Sequence, residues 1–447
     1  MSMFTQRVAY LFAGGVLVVA GCHGKAPSPK EMAAAPPAPM AYASASDGLP
    51  TTKIWKSQIA FGDINGDGFQ DIGAVSRLAD GPWIWTGDGH GHWTDASSGL
   101  PRENYCGGGM AFGDVNGDGK MDVAIADHCH GAFAYLGDGQ GHWRNASAGL
   151  PTVGSEDVAL GDFNHDGCLD MATVAASEEG IRAFKGNCKG TWKESSKGLL
   201  LTEWANSVVM ADVDGDGNLD IVAAHADGPR VFLGDGKGGW RDASEGLPAP
   251  EIHGLYWGIA VGDVNGDGKL DIASGAAIPG AEVFIQEPGP KWRKASDGIV
   301  PMNALGVALG DLNNDGKTDL VVAGKTNLEE IGGVYGVFPF LGDGTGKWKL
   351  VDNSGLPTTG RERTWGVGLA DVNNDGVLDI GVAFGDVLSP KWRSGPTKKP
   401  DEPAGKEKDK SADKKDDKSA AKPAEPVRAP ERGMYGSIEV WRGSLNK

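Results

Sequence analysis

The residues best equipped for chemistry are acidic, and they recur in one frame, D-x-[N/D]-x-D-G-x-x-D, at seven places. Side-chain oxygens come from Asp63, Asn65, Asp67 and Asp71, then from Asp114, Asn116, Asp118 and Asp122. The third and fourth sets are Asp162, Asn164, Asp166, Asp170 and Asp212, Asp214, Asp216, Asp220. The last three are Asp263, Asn265, Asp267, Asp271; Asp311, Asn313, Asp315, Asp319; and Asp371, Asn373, Asp375, Asp379. Position seven adds a backbone carbonyl, from Phe69, Lys120, Cys168, Asn218, Lys269, Lys317 and Val377. Glycine at position six permits the sharp turn that folds these oxygens around one ion. Hard oxygen donors in this number suit Ca²⁺, so about seven calcium ions are expected. An EF-hand opens the same way but needs a bidentate Glu at position twelve. That position holds Ala74, Ile125, Thr173, Ala223, Ser274, Val322 and Val382, which excludes it.

The elements that must position these loops are strands. The frames repeat about every 50 residues, a period of propellers and related arrays. Each frame is preceded by a short apolar run such as Val158–Leu160 and followed by another such as Asp319–Ala323. A third run ends in a glycine turn and a tryptophan (Trp93, Trp143, Trp192, Trp240, Trp292, Trp348), and an SxGLP-like segment follows. Four strands per repeat make a propeller blade. The seventh repeat stops after its third strand, Gly436–Arg442, and the missing segment stands at the other end of the chain as Ala41–Pro50, with Tyr42 in the tryptophan position. The fold class is therefore all-β: a seven-bladed β-propeller of four-stranded antiparallel blades, closed by an N-terminal strand that completes the last blade. Closure removes an exposed sheet edge.

On these repeats, the chain resembles the FG-GAP/VCBS family, the blade repeat of integrin α-subunit propellers, over nearly all of residues 41–447. The resemblance implies calcium in the loops and ligand binding by loops of the propeller. The formal net charge of −18 fits this, since seven bound Ca²⁺ would bring it to about −4. That acidity also argues against a nucleic-acid partner.

The N-terminus reads as a targeting segment. Arg7 precedes an apolar run from Val8 to Ala20, too short for a confident membrane span. It ends in Val19-Ala20-Gly21-Cys22, which resembles the lipobox of bacterial lipoproteins. The resemblance implies a signal peptide over 1–21, lipidation of Cys22 and a bacterial envelope location. With His23 in place of Asp, it implies the outer membrane, contacted through the lipid alone. Residues 22–40 are a Pro/Ala-rich tether, and residues 392–432 a Lys/Asp/Glu/Ala/Pro insertion in the last blade that cannot bury a core.

In a four-stranded meander the calcium loops and glycine turns share one face, and the links between blades lie on the other. Cys168 and Cys188 fall on the calcium face of one blade, whereas Cys106 and Cys129 fall on the opposite face. In an exported chain this predicts Cys106–Cys129 and Cys168–Cys188 disulfides. His128 and His130, beside Cys129, are read as loop histidines. The links also hold Trp55, Tyr105, Trp204, Tyr256, Trp257 and Trp365, aromatics suited to stacking on a sugar or gripping a peptide. No triad, phosphate loop or zinc spacing stands out. The expected role is a glycan- or protein-binding module without catalysis. A scaffold subunit of an envelope complex and a calcium-dependent polysaccharide lyase stay open, because fold alone does not choose.

Overall fold

The computed structural model describes residues 40–388 and 433–445, apart from 80, 103–104, 176–178, 249–254, 290, 327–334 and 362. The signal segment, Cys22, the tether up to residue 39 and the insertion at 392–432 lie outside the described residues.

Seven antiparallel sheets follow one another along the chain. The third is representative: Ser155–Gly161, Asp170–Ala175, Ile181–Gly186 and Trp192–Glu194 pair in sequence order. Blades are numbered by the order of their acidic D-x-[N/D]-x-D-G loops. In blade 1 the innermost strand is broken into Ile54–Trp55 and Ala60–Gly62, both pairing with Asp71–Ala79.

Blade 7 closes the ring. Met40–Ser44 pairs antiparallel with Gly433–Leu445, and Tyr42 stands opposite Gly443. This is the register of the tryptophans, since Trp93 stands opposite Gly87 and Trp143 opposite Gly137. The two strands flanking the insertion are longer than the sequence suggests. Their ladder runs on to Leu388↔Gly433, so the insertion leaves the blade from the end of a paired ribbon.

Apolar side chains on both faces of each sheet make one buried cluster at every seam between neighbouring blades, seven in all among the described residues. Six tryptophans also fasten the seams through their indole N–H. Trp93 donates to the Ala45 carbonyl, Trp143 to Ala96 and Trp192 to Ala146, at 2.8–2.9 Å. Trp240, Trp292 and Trp348 do the same to Ser195, Ala243 and Ala295. Glycine in the SxGLP segment is required sterically. At Gly99 (φ +88°) a Cβ would lie 2.4 Å from the Trp143 carbonyl oxygen.

Candidate functional site

The loops between first and second strands are shaped by their own backbone. Asp63 accepts the N–H groups of Gly66, Asp67 and Gly68, and the Asp67 carboxylate accepts that of Phe69. Gly66 and Gly68 are both left-handed, at φ +75° and +91°. The Asn65 amide donates to Asp67 at 2.9 Å, and the same bond recurs from Asn116, Asn265, Asn313 and Asn373. In the third loop Asn164 turns instead to Asp170.

Position nine has a structural task that the sequence does not reveal. Asp71 is fully buried, and its two oxygens accept the N–H of Ile64 in its own loop and of Gly87 in the glycine turn. Asp122, Asp170, Asp220, Asp271, Asp319 and Asp379 make the equivalent pair of bonds. Burial pushes these carboxyls up, against the backbone N–H bonds that lower them, to about 7 at Asp71, Asp170 and Asp319. It takes Asp122, Asp220, Asp271 and Asp379 to about 6.

The fourth loop differs. With Asp214 where the others have Asn, carboxylate oxygens of Asp212, Asp214 and Asp216 lie within 4.8 Å of one another. Asp212 Oδ1 has no hydrogen-bond partner. Burial first, and then Asp216, raises the Asp214 carboxyl. Three converging carboxylates with an unsatisfied oxygen suit a hard divalent cation, and this cluster can coordinate one. A second group, Cys106, Asp127 and Cys129, offers no such site. The two cysteines are bonded to each other, and Asp127 accepts the backbone N–H groups of Cys106, Cys129 and His130. His130 pairs with Asp127 at 2.7 Å. The other disulfide joins Cys168 to Cys188.

At the opposite face, the six linking aromatics separate into two groups. Trp55, Tyr105 and Tyr256 are core residues, only 1%, 4% and 1% exposed. Trp55 packs edge-on against Trp85, Tyr105 lies against Phe133, and the Tyr256 hydroxyl donates to Glu282. They are not available to a ligand, because they point into the blade. Trp204, Trp257 and Trp365 form a chain of edge-to-face rings, with centroids 6.3 and 5.8 Å apart, although Trp365 is buried too, at 8% exposed, and its indole N–H donates to the Gly385 carbonyl. Trp204 is 37% exposed.

A repeated irregularity makes this arrangement. The innermost strands of blades 3 to 7 each carry a register shift, six residues before the first loop aspartate, that skips Glu156, Asn206, Trp257, Leu305 and Trp365. A β-bulge of this kind re-aims one side chain. Four of these five residues line a single pocket with Ser57 and Gly108, which hold the same position in blades 1 and 2. Six blades can converge only at the ring axis.

Lys56 completes the pocket. Its Nζ lies 2.5 Å from Glu156 Oε2 and 5.7 Å from the Trp365 ring centre. The other Glu156 oxygen is held by His128, whose ring lies 6.2 Å from Trp204. Burial would raise the Glu156 carboxyl, but His128 and the Lys56 ammonium outweigh it and hold it below the ordinary range. Neighbouring blades are laced beneath by the Gly108 N–H to the Lys56 carbonyl and the Gly109 N–H to the Glu156 carbonyl, both 2.8 Å. Lys56, Glu156, Asn206 and Leu305 escape a reading based on aromatic content. Aligning the repeats on their first aspartate and comparing the column six residues upstream exposes them, Lys56 excepted.

A closed propeller with an acidic loop between the first two strands of every blade defines a class of repeat protein. The FG-GAP-like repeat matches residues 63–125, 114–173, 173–223, 212–274 and 311–382, more than half of the chain. The protein belongs to the FG-GAP repeat family. No curated protein sequence is significantly similar to it. Similar solved structures include an Agrocybe aegerita lectin described for specific recognition of non-reducing terminal N-acetylglucosamine, at TM-score 0.42 and 16% identity over 70% of this chain and 84% of that one. BBS1N in complex with ARL6DN aligns at TM-score 0.49 and 13% identity, over 76% and 93% of the two chains. Saccharomyces cerevisiae Sqt1 aligns at 0.47 and 10%, over 77% and 96%. At these scores and identities the likeness says nothing about ligand or activity.

Proposed function

We propose that this protein is a calcium-loaded recognition propeller of the cell envelope, binding a glycan or protein ligand at the axial mouth opposite its calcium loops. In this reading the role is binding and not catalysis. The observation that carries it is the row of bulges at one register in five blades, which gathers unlike side chains into one axial pocket. Calcium at the seven loops would hold the strand ends on the other face. Positions one, three, five and nine would supply side-chain oxygens and position seven a carbonyl, and the bound charge would relieve repulsion among the loop aspartates. The lipobox-like run ending at Cys22 supports export and a lipid anchor, with the tether spacing the propeller from the membrane.

The test is site-specific photo-crosslinking in intact cells, with the reactive residue in place of Trp204 on the axial face or His142 on the calcium face. Adducts with glycan or protein are expected from position 204 and not from 142. Adducts confined to position 142 would overturn the reading.

A further inference from the structure

Position four of the acidic frame divides the seven loops, which are numbered with their blades. It is glycine in loops 1, 2, 4 and 5 (Gly66, Gly117, Gly215 and Gly266), and His165, Asn314 and Asn374 in loops 3, 6 and 7. All seven residues are left-handed, at φ between +55° and +75°. Glycine takes that conformation freely, and Asn and His are among the side chains that tolerate it. Each of the three side chains reaches the next loop round the ring. Asn314 Nδ2 donates to the Gly376 carbonyl of loop 7, and Asn374 Nδ2 to the Gly68 carbonyl of loop 1, both at 2.8 Å. His165 Nε2 lies 2.9 Å from Asn218 Oδ1 of loop 4. The Asn374 bond crosses the seam where the ring closes, between residues 306 apart in the chain. The hydrogen bonds of loop 2, by contrast, stay within its own blade among the described residues.

The receiving peptide bears directly on the cation donors. In loop 7 the peptide between Gly376 and Val377 is held at its carbonyl by Asn314 and at its N–H by Asp375 Oδ1, 2.9 Å away. In loop 1 the peptide between Gly68 and Phe69 is held by Asn374 and by Asp67 Oδ1, 2.8 Å away. The carboxylate on that N–H is the position-five donor, and the next carbonyl along the chain is the position-seven donor. The loop 4 link is similar, since Asn218 Nδ2 donates to Asp216 at position five. Position four itself stands between the donors at three and five. A cation that orders loop 6 therefore fixes Asn314, and through it two donors of loop 7. Asn374 passes the same constraint on to loop 1. A loop already ordered by its neighbour meets a smaller entropic cost on binding, which is positive cooperativity.

We infer that loops 6, 7 and 1 take up calcium as one cooperative group across the closing seam, coupled through Asn314 and Asn374, while loop 2 fills independently. The inference rests on the calcium reading of the loops and is separate from what binds at the axial mouth. Both bonds are solvent-exposed, so each link should change affinity about five-fold.

The experiment counts calcium ions on the full chain by native mass spectrometry at the half-saturating concentration. Asp371→Asn empties loop 7 and Asp114→Asn empties loop 2. With a link on each side of loop 7, Asp371→Asn should lower the mean ion count roughly twice as much as Asp114→Asn. Asn314→Gly and Asn374→Gly together install the residue that four other loops carry. They should abolish that excess and leave the ion count at saturation unchanged. The same pair should also flatten the calcium titration of the otherwise unaltered chain, a readout that does not depend on either aspartate variant folding. Equal losses from the two aspartate variants, or an excess that survives the glycine pair, overturn the coupling and leave the calcium reading standing. A folded chain that binds no calcium overturns both.

Discussion

The two faces of the propeller are built on opposite plans. On the face of the acidic loops one loop is written seven times with little change. At the axial mouth one backbone position is occupied by six kinds of residue. Repetition suits a scaffold, because each blade must solve the same problem of pinning its strand ends. Variation suits the proposed recognition, because a ligand on the axis would meet every blade at once and would not itself be seven-fold symmetric. A bulge lets both plans share one strand: the ladder continues on either side while a single side chain is turned out of register.

The sharpest way to break this contrast is to empty the axial ion pair. Glu156→Ala leaves Lys56 buried without its partner and should cost roughly 3–5 kcal/mol in urea unfolding. A near-zero cost would mean that the pair is wetter than the geometry shows. A smaller effect is expected at the seams. Trp240→Phe removes an indole N–H bond to Ser195 and should cost about 1–2 kcal/mol, leaving that carbonyl unpaired. The converse holds where the chain closes. The Tyr42 hydroxyl is buried without a partner, so Tyr42→Phe should be nearly neutral in the same assay.

Protons probe the acidic-loop face more gently. The position-nine carboxyls are pushed up to about 6 or 7 in the folded chain, against about 3.9 when unfolded. Between those values the folded state holds more protons. In chelator, then, the stabilisation is full below about pH 4 and is lost as pH rises through 6 to 7. Asp157, buried and pushed up to about 7, adds to the same trend. Urea midpoints in chelator should fall across this window, and calcium should flatten the fall. A rise with pH in chelator would show that these carboxylates are ionised in the fold.

Much of the scaffold is legible in the sequence because repetition is redundant. Seven frames in register announce seven blades, and the stray Ala41–Pro50 segment announces how the ring closes. The axial mouth is far less legible. Trp55, Tyr105 and Tyr256 look like their neighbours on the linking segments, yet they face the core, because alternate residues of a strand point to opposite sides. A one-residue bulge reverses that alternation, and periodicity alone cannot locate it. Asp71 and its counterparts show the same limit. Their spacing marks them as ligands, but only the folded turn from the neighbouring strands reveals that they also clamp loop to glycine turn.

The most direct test of the central claim is to count the ions. Native mass spectrometry of the metal-free propeller, titrated with calcium and paired with thermal unfolding, gives both stoichiometry and stabilisation. The account predicts about seven bound Ca²⁺ and a large rise in the melting temperature, with Asp214→Asn removing no more than one ion. A folded propeller that binds no calcium, and melts at the same temperature with and without it, would contradict the account.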